Sequence, residues 1–137
     1  MSRIYNINNH LMKYKSNCIN AIVPYTPESV TIGTQVWTSK NLDIDDGGEG
    51  IYTNELHDVN GVDLGTQYYY TWDAAVRVAN YIEGWHLPTS AEWDALRTYC
   101  GGGAVAGKKL KSTSGWTLEE YYPGTDEYGF KAYPVGY

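Results

Sequence analysis

Hydrophobic positions along this chain come in short, interrupted sets, and each set predicts an element. In the run VTIGTQVWTSKNL, Val30 and Ile32 alternate with polar residues, and past the Gly33 break Val36 and Leu42 continue the apolar side. That period predicts a strand with a bend or a hairpin at the glycine. Over Thr71–Asn80 the spacing becomes helical, with Ala75, Val76 and Ala79 as the apolar face and Thr71 placed to cap it. A second helix begins at Pro88-Thr89-Ser90-Ala91-Glu92. There Thr89 can accept from the Glu92 amide while Glu92 reaches back, a capping box worth about 1 kcal/mol. Trp93, Leu96 and Cys100 then share one face, and Gly101-Gly102-Gly103 ends the helix. Lys108–Ser112 reads as a loop, Gly115-Trp116 as a short strand and Gly129–Tyr137 as a further strand.

The N-terminal part has a different texture. Residues 2–23 read as short strands broken by turns at Asn8-Asn9 and Lys15-Ser16-Asn17. A hairpin of that size is marginal alone and needs another surface to dock on. Pro24-Tyr25-Thr26-Pro27 makes a stiff connector, so residues 1–29 are expected to be an anchoring segment with its linker and residues 30–137 the domain proper.

At 137 residues the chain suits one domain plus an appendage. A net charge of -6 argues against nucleic acid, whose sequence-independent affinity comes from Lys and Arg neutralising phosphates. No stretch approaches the roughly 20 apolar residues of a membrane span, so membrane insertion is not expected. No apolar run near the start could serve as a signal-peptide core, so the chain is expected to begin in a cytoplasm with Cys18 and Cys100 as reduced thiols.

Candidate chemistry is sparse. His10, His57 and His86 are scattered, and GGGAVAGKK lacks the Ser or Thr of a phosphate loop. Asp43, Asp45, Asp46 and Glu49 surround glycines in one acidic loop, and Asp58-Val59-Asn60-Gly61-Val62-Asp63 opens like a calcium loop. The second lacks the closing Glu, because position twelve counted from Asp58 is Tyr69. No cofactor is expected, and if calcium bound, Asp58, Asn60 and Asp63 would be its first ligands. The 14 Tyr and 5 Trp against a single Phe favour rings with a polar tip, suited to wet surfaces and half-buried strands alike. Tyr68, Tyr69, Tyr70, Tyr121 and Tyr122 are the expected ligand-binding residues, because such rings beside acidic loops stack on sugars or peptides.

The segment GWHLPTSAEWDAL, residues 84–96, resembles the Fibrobacter succinogenes major paralogous domain, a branch of the C-type-lectin-like fold. Trp37, Trp72, Gly84, Trp85, His86, Leu87, Pro88, Glu92, Trp93, Gly129 and Phe130 carry the signature, within a resemblance spanning about residues 30–137. It implies an α+β fold, two helices packed on a small antiparallel sheet. Tyr81-Ile82 stands where family members commonly carry Cys-Pro, so the usual disulfide is not expected. The family pattern also continues past Tyr137, which implies an incomplete domain without the carbohydrate-type calcium site. Open strand edges of such a sheet would pair with a partner subunit or a second copy.

LPTSAEW also resembles the formylglycine-generating enzyme branch, whose chemistry needs a cysteine pair, and only Cys100 is near. An enzyme is therefore not expected. The expected function is a non-enzymatic bacteriophage virion structural protein: a head fibre, capsid decoration or tail adhesin. It would assemble in the host cytoplasm with its own copies and with other virion proteins such as capsid, and attach to a host surface glycan or protein. NNHLMKYKSN resembles the short anchoring heads of phage fibre proteins. The alternative is a bacterial surface or secreted binding protein lacking its signal and C-terminal part, and a formylglycine-generating-type enzyme is a remote third.

Overall fold

The Gly33 break is a hairpin. β3 (Ser29–Ile32) and β4 (Gln35–Thr38) pair antiparallel, with Ile32 opposite Gln35 and Ser29 opposite Thr38. Gly33 has φ +64°, and a Cβ there would lie 2.9 Å from the Tyr99 ring, so both the turn and the packing require glycine. A computed structural model describes residues 4–5, 12–13, 26–57, 61, 63–116 and 124–135.

Among the described residues there are two sheets, and the first extends this hairpin with pieces from far along the chain. Its order is β3-β4-β2-β7, where β2 is Met12–Lys13 and β7 is Trp85–His86. β2 lies between two neighbours, Met12 opposite both Trp37 and His86, and Lys13 opposite Trp85. The second sheet has the order β1-β6-β5 and is mostly one long antiparallel ribbon, β5 (Ile51–His57) with β6 (Asp63–Thr71). β1 (Ile4–Tyr5) adds to the free side of β6.

Among the described residues β1 and β2 do not form the expected N-terminal hairpin, because each pairs with a different sheet. The reason is energetic: a two-stranded ribbon cannot bury a face, whereas an existing sheet edge supplies both backbone partners and packing. The expected turns at Asn8-Asn9 and Lys15-Ser16-Asn17 lie outside the described residues.

Among the described residues three helices pack beside the sheets. α1 (Trp72–Ala79) is capped by the Thr71 hydroxyl, which accepts from the Ala74 amide. Its buried face is Ala74, Ala75, Val78 and Ala79, and Val76 points outward instead of inward as expected. The alanines permit either stripe, and the position of Ile82 and Trp85 beneath the helix selects one. Trp72, part of the signature, is 52% exposed at the start of this helix. α2 (Ser90–Tyr99) has the expected capping box: Thr89 Oγ1 accepts from Glu92 N at 3.3 Å, and Thr89 N donates back to Glu92 Oε2 at 2.7 Å.

α3 (Ala106–Leu110) stands where a loop was expected, and the strand expected over 129–137 is absent among the described residues. Both follow from one set of hydrogen bonds. Amides of Thr125, Glu127, Ala132 and Asp126 donate to the carbonyls of Lys108, Lys109, Leu110 and Lys111, which satisfies the helix's C-terminal acceptors with chain from 124–132. Left-handed Gly129 (φ +71°) and Lys131 (φ +53°) coil that chain, so only Ala132 makes an isolated parallel bridge, to Lys111.

Among the described residues the buried ones form two clusters. One places Tyr70, Leu42, Ile82 and Trp85 under α1. The other surrounds Trp37, with Ile32, Leu96, Cys100, Ala106 and Phe130, and half-buried Trp93 against it. Trp37 and Trp93 lie 4.8 Å apart between ring centroids, and Phe130 meets Trp37 edge-on at 5.9 Å. Such tilted and edge contacts are what ring quadrupoles prefer.

Candidate functional site

The candidate site lies beside the loop after β4. Ser39–Gly50 has no regular backbone pairing, so other groups must hold it. The Tyr70 hydroxyl accepts from Ile44 N at 3.0 Å and bonds to the Ile44 carbonyl at 2.8 Å, which pins the loop from beneath. Burial pushes the Tyr70 phenol well above its usual value, so it stays a neutral donor. Further along, Arg77 grips the acidic turn from α1: Nε donates to Asp46 Oδ2 at 2.7 Å, and Nη2 to Asp46 Oδ1 at 3.0 Å and to the Glu49 carbonyl at 3.1 Å. That fork holds the Asp46 carboxyl down at about 2.

The loop so fixed forms one wall of a cleft of about 360 Å³. Lys40, Asn41, Leu42 and Asp43 line that wall; Asp63, Thr66, Gln67 and Tyr68 of β6 line the second, and Lys131 and Tyr133 the third. Asn41 Nδ2 donates to Gln67 Oε1 at 3.2 Å, tying loop to strand across the floor. A smaller recess of about 230 Å³ abuts the cleft through the same Lys40–Asp43 segment and is otherwise lined by Thr26, Pro27, Glu28 and Thr38. The cleft is at the small end for a ligand pocket, and its lining mixes charged, amide and hydroxyl groups about evenly with the apolar surface of Leu42 and two tyrosine rings.

Of the tyrosine run expected at a ligand face, only Tyr68 reaches this cleft. Tyr69 and Tyr70 are buried, because β6 is packed on both faces at its end, and desolvation raises the Tyr69 phenol too. Tyr121 and Tyr122 lie outside the described residues, as do Asp58 and Asn60. Asp63 lines the cleft with Oδ1 accepting from Gly65 N at 2.7 Å. Asp45 and Asp46 accept from Gly47 and Gly48 amides, so this acidic loop spends carboxylates on its own turns and on Arg77. Among the described residues no group of three or more His, Cys, Asp and Glu could hold a metal ion.

The signature residues have structural work. His86 Nε2 lies 3.0 Å from Glu92 Oε1, so β7 is latched to the α2 capping box, and Gln35 Nε2 donates to the Glu92 carbonyl at 3.1 Å. Burial opposes ionisation of Glu92, but the bonds from Thr89 and His86 outweigh it and hold the carboxyl below its usual value. Trp37, Trp85 and Phe130 are buried, and Trp93 packs on Trp37 and Phe130. Leu87 joins the cluster under α1. Left-handed Gly84 (φ +79°) precedes β7, and Pro88 precedes the cap. Cys100 is buried at the α2 C-cap, where desolvation pushes the thiol up and away from nucleophilic form.

Sequence reasoning passed over Asn41, Gln67, Lys131 and Tyr133 as a group. No local pattern connects a loop, a strand and a C-terminal coil. Among known proteins, no curated protein and no solved structure matches the chain. The model of the Fibrobacter succinogenes major domain matches residues 30–137. With that match covering most of its length, the chain belongs to the Fibrobacter succinogenes major domain family.

Proposed function

We propose that the chain is a non-enzymatic attachment module, a C-type-lectin-like variant displayed on a bacteriophage virion as head fibre, capsid decoration or tail adhesin. The observation that carries the attachment role is the cleft beside the 40–43 loop, whose lining combines polar side chains with the rings of Tyr68 and Tyr133. The engagement of the groups best suited to catalysis supports the non-enzymatic reading: His86 is latched to Glu92, and the Cys100 thiol is buried and protonated. In the same proposal the module assembles with its own copies and with capsid, and β5, at the outside of its sheet among the described strands, offers an edge for such pairing.

A second reading, a bacterial surface or secreted binding protein, is supported by the family match, since the family takes its name from a bacterium. Immunogold electron microscopy of infected and uninfected cells separates the two. Labelling of particles is expected; labelling confined to the envelope of uninfected cells refutes the virion setting and establishes the second reading.

A further inference from the structure

We infer that residues 4–13 are a donor segment exchanged between copies: β2 of one chain fills the slot between β4 and β7 of a second copy, which returns the same strand. Exchange rests on the pairing of the strands, not on the cleft or the virion setting, and goes beyond the β5-edge pairing proposed above.

Sheet order defines the slot. β4 and β7 do not pair with each other; Met12 stands opposite Trp37 on one side and His86 on the other, so each has an inner edge that only β2 covers among the described strands. Both walls are held by α2 through contacts in which β2 takes no part. Gln35 of β4 donates to the Glu92 carbonyl at 3.1 Å, His86 of β7 lies 3.0 Å from the Glu92 carboxylate, and Trp37 packs on Trp93 at 4.8 Å. The rest of the molecule thus sets a gap one strand wide, about 10 Å from wall to wall, with backbone donors and acceptors on both sides. The filler comes from outside the family-matched domain, which begins at residue 30. β1, on the edge of β6, belongs to the same outside segment.

Topology works against filling by a chain's own strand. β2 and β3 are each antiparallel to β4, so they run parallel to each other with β4 between them. A parallel connection is a crossover of a dozen residues or more, normally a helix laid over the sheet. Residues 14–28 are little longer than that, and Pro24 and Pro27 restrict the part nearest β3. Both faces of β4 are already occupied: Val36 packs on the cluster under α1, and Trp37 lies in the aromatic cluster. A tether raises the local concentration of a chain's own strand, but a crossover excluded from both faces must be routed round the end of the sheet, which offsets that advantage. Exchange keeps every ladder bond and frees the connector from passing β4.

Charge favours a second copy as the donor. Residues 1–27 hold Arg3, Lys13 and Lys15 and no acidic residue, whereas the remainder holds all 16 Asp and Glu against the other seven of the 10 Lys and Arg. Two such acidic bodies repel, and a basic strand from each laid into the other brings opposite charges into the contact.

The test is cross-linking in the full chain. With Cys18→Ser to remove a competing thiol, Met12→Cys and His86→Cys place a pair directly across the β2–β7 ladder, at a separation a disulfide can bridge. Refolding at high protein concentration and mild oxidation should give a covalent dimer that reduction splits. Covalent monomer alone, or no bond between the two positions, overturns exchange. Wild-type chain refolded from a mixture of isotope-labelled and unlabelled pools gives an independent reading by native mass spectrometry: a mixed-label species at twice the 15.4 kDa of one chain is expected, and monomer alone overturns exchange. Deleting residues 16–21 leaves a connector too short for the crossover. That variant should become wholly dimeric with its melting temperature kept, and a monomer with a lowered melting temperature counts against exchange. A dimer cross-linked only within each chain overturns exchange and leaves the β5 edge as the assembly surface. Immunogold labelling of particles without any exchange would leave the virion reading standing.

Discussion

The two sheets are built on opposite plans. The β5–β6 ribbon is local: one chain reversal brings Ile51 opposite Tyr70 and His57 opposite Asp63, and the outer strand carries exposed Tyr52, Thr53, Asn54 and Glu55. The β3-β4-β2-β7 sheet is assembled from segments spread from Met12 to His86, and its β4 carries fully buried Trp37 into the aromatic cluster. Stability should therefore concentrate in the assembled sheet, where each residue removes large apolar area from water, and the ribbon can be spared for a ligand. The cleft lies where ribbon meets loop, at the margin of the better-packed half.

Replacing the centre of the assembled sheet should break it most severely. Trp37→Ala removes the ring that Trp93 and Phe130 pack against and should cost about 3–5 kcal/mol, read as a collapsed urea midpoint. Removing residues 1–13 should come next. The sequence alone made residues 1–29 an anchoring segment outside the domain proper, but β2 supplies the ladder between β4 and β7. Each lost ladder bond should cost about 0.5–1.5 kcal/mol. The bared edges should then raise association in light scattering. A deletion as stable and monodisperse as the full chain would show that β2 is dispensable.

The junction of the two regions should respond at an intermediate level. Tyr70→Phe deprives half-buried Ile44 backbone groups of a partner and should cost about 1 kcal/mol, with faster amide exchange at Ile44 than at Trp37. Acid should act on both regions. The carboxyls of Glu92 and Asp46 titrate lower in the folded chain than their ordinary values of 4.5 and 3.8, so their stabilisation is present above those values and lost as pH falls toward about 2. Melting temperature should decline across that window, and Arg77→Ala should flatten the part due to Asp46. At the small end, Asn54→Ala on the exposed outer strand should stay within about 0.5 kcal/mol.

What could be read from residues alone follows the range of the interactions. The β3–β4 hairpin, both long helices and the α2 capping box are set by neighbours within a few positions, and each forms as its pattern predicts. The ribbon was hidden because Tyr-rich β6 and polar β5 lack clean alternation, and glycines with acidic residues read as loop. α3 was hidden because its carbonyls are completed by chain from 124–132, a contact no local rule anticipates. Tyr68 was found for its type, whereas Asn41, Lys131 and Tyr133 acquire significance only when brought together.

By itself, then, the order of amino acids determined the family, the caps, the first hairpin and the aromatic content of the core, because these depend on short-range backbone preference and on ring size. Tertiary structure decided which stripe of α1 is buried, that Trp72 faces outward, that β1 and β2 join separate sheets, and that a lysine is held left-handed beside two tyrosines. Those outcomes turn on competition between distant surfaces for the same backbone groups and apolar area, and that competition is settled only when the whole chain has packed.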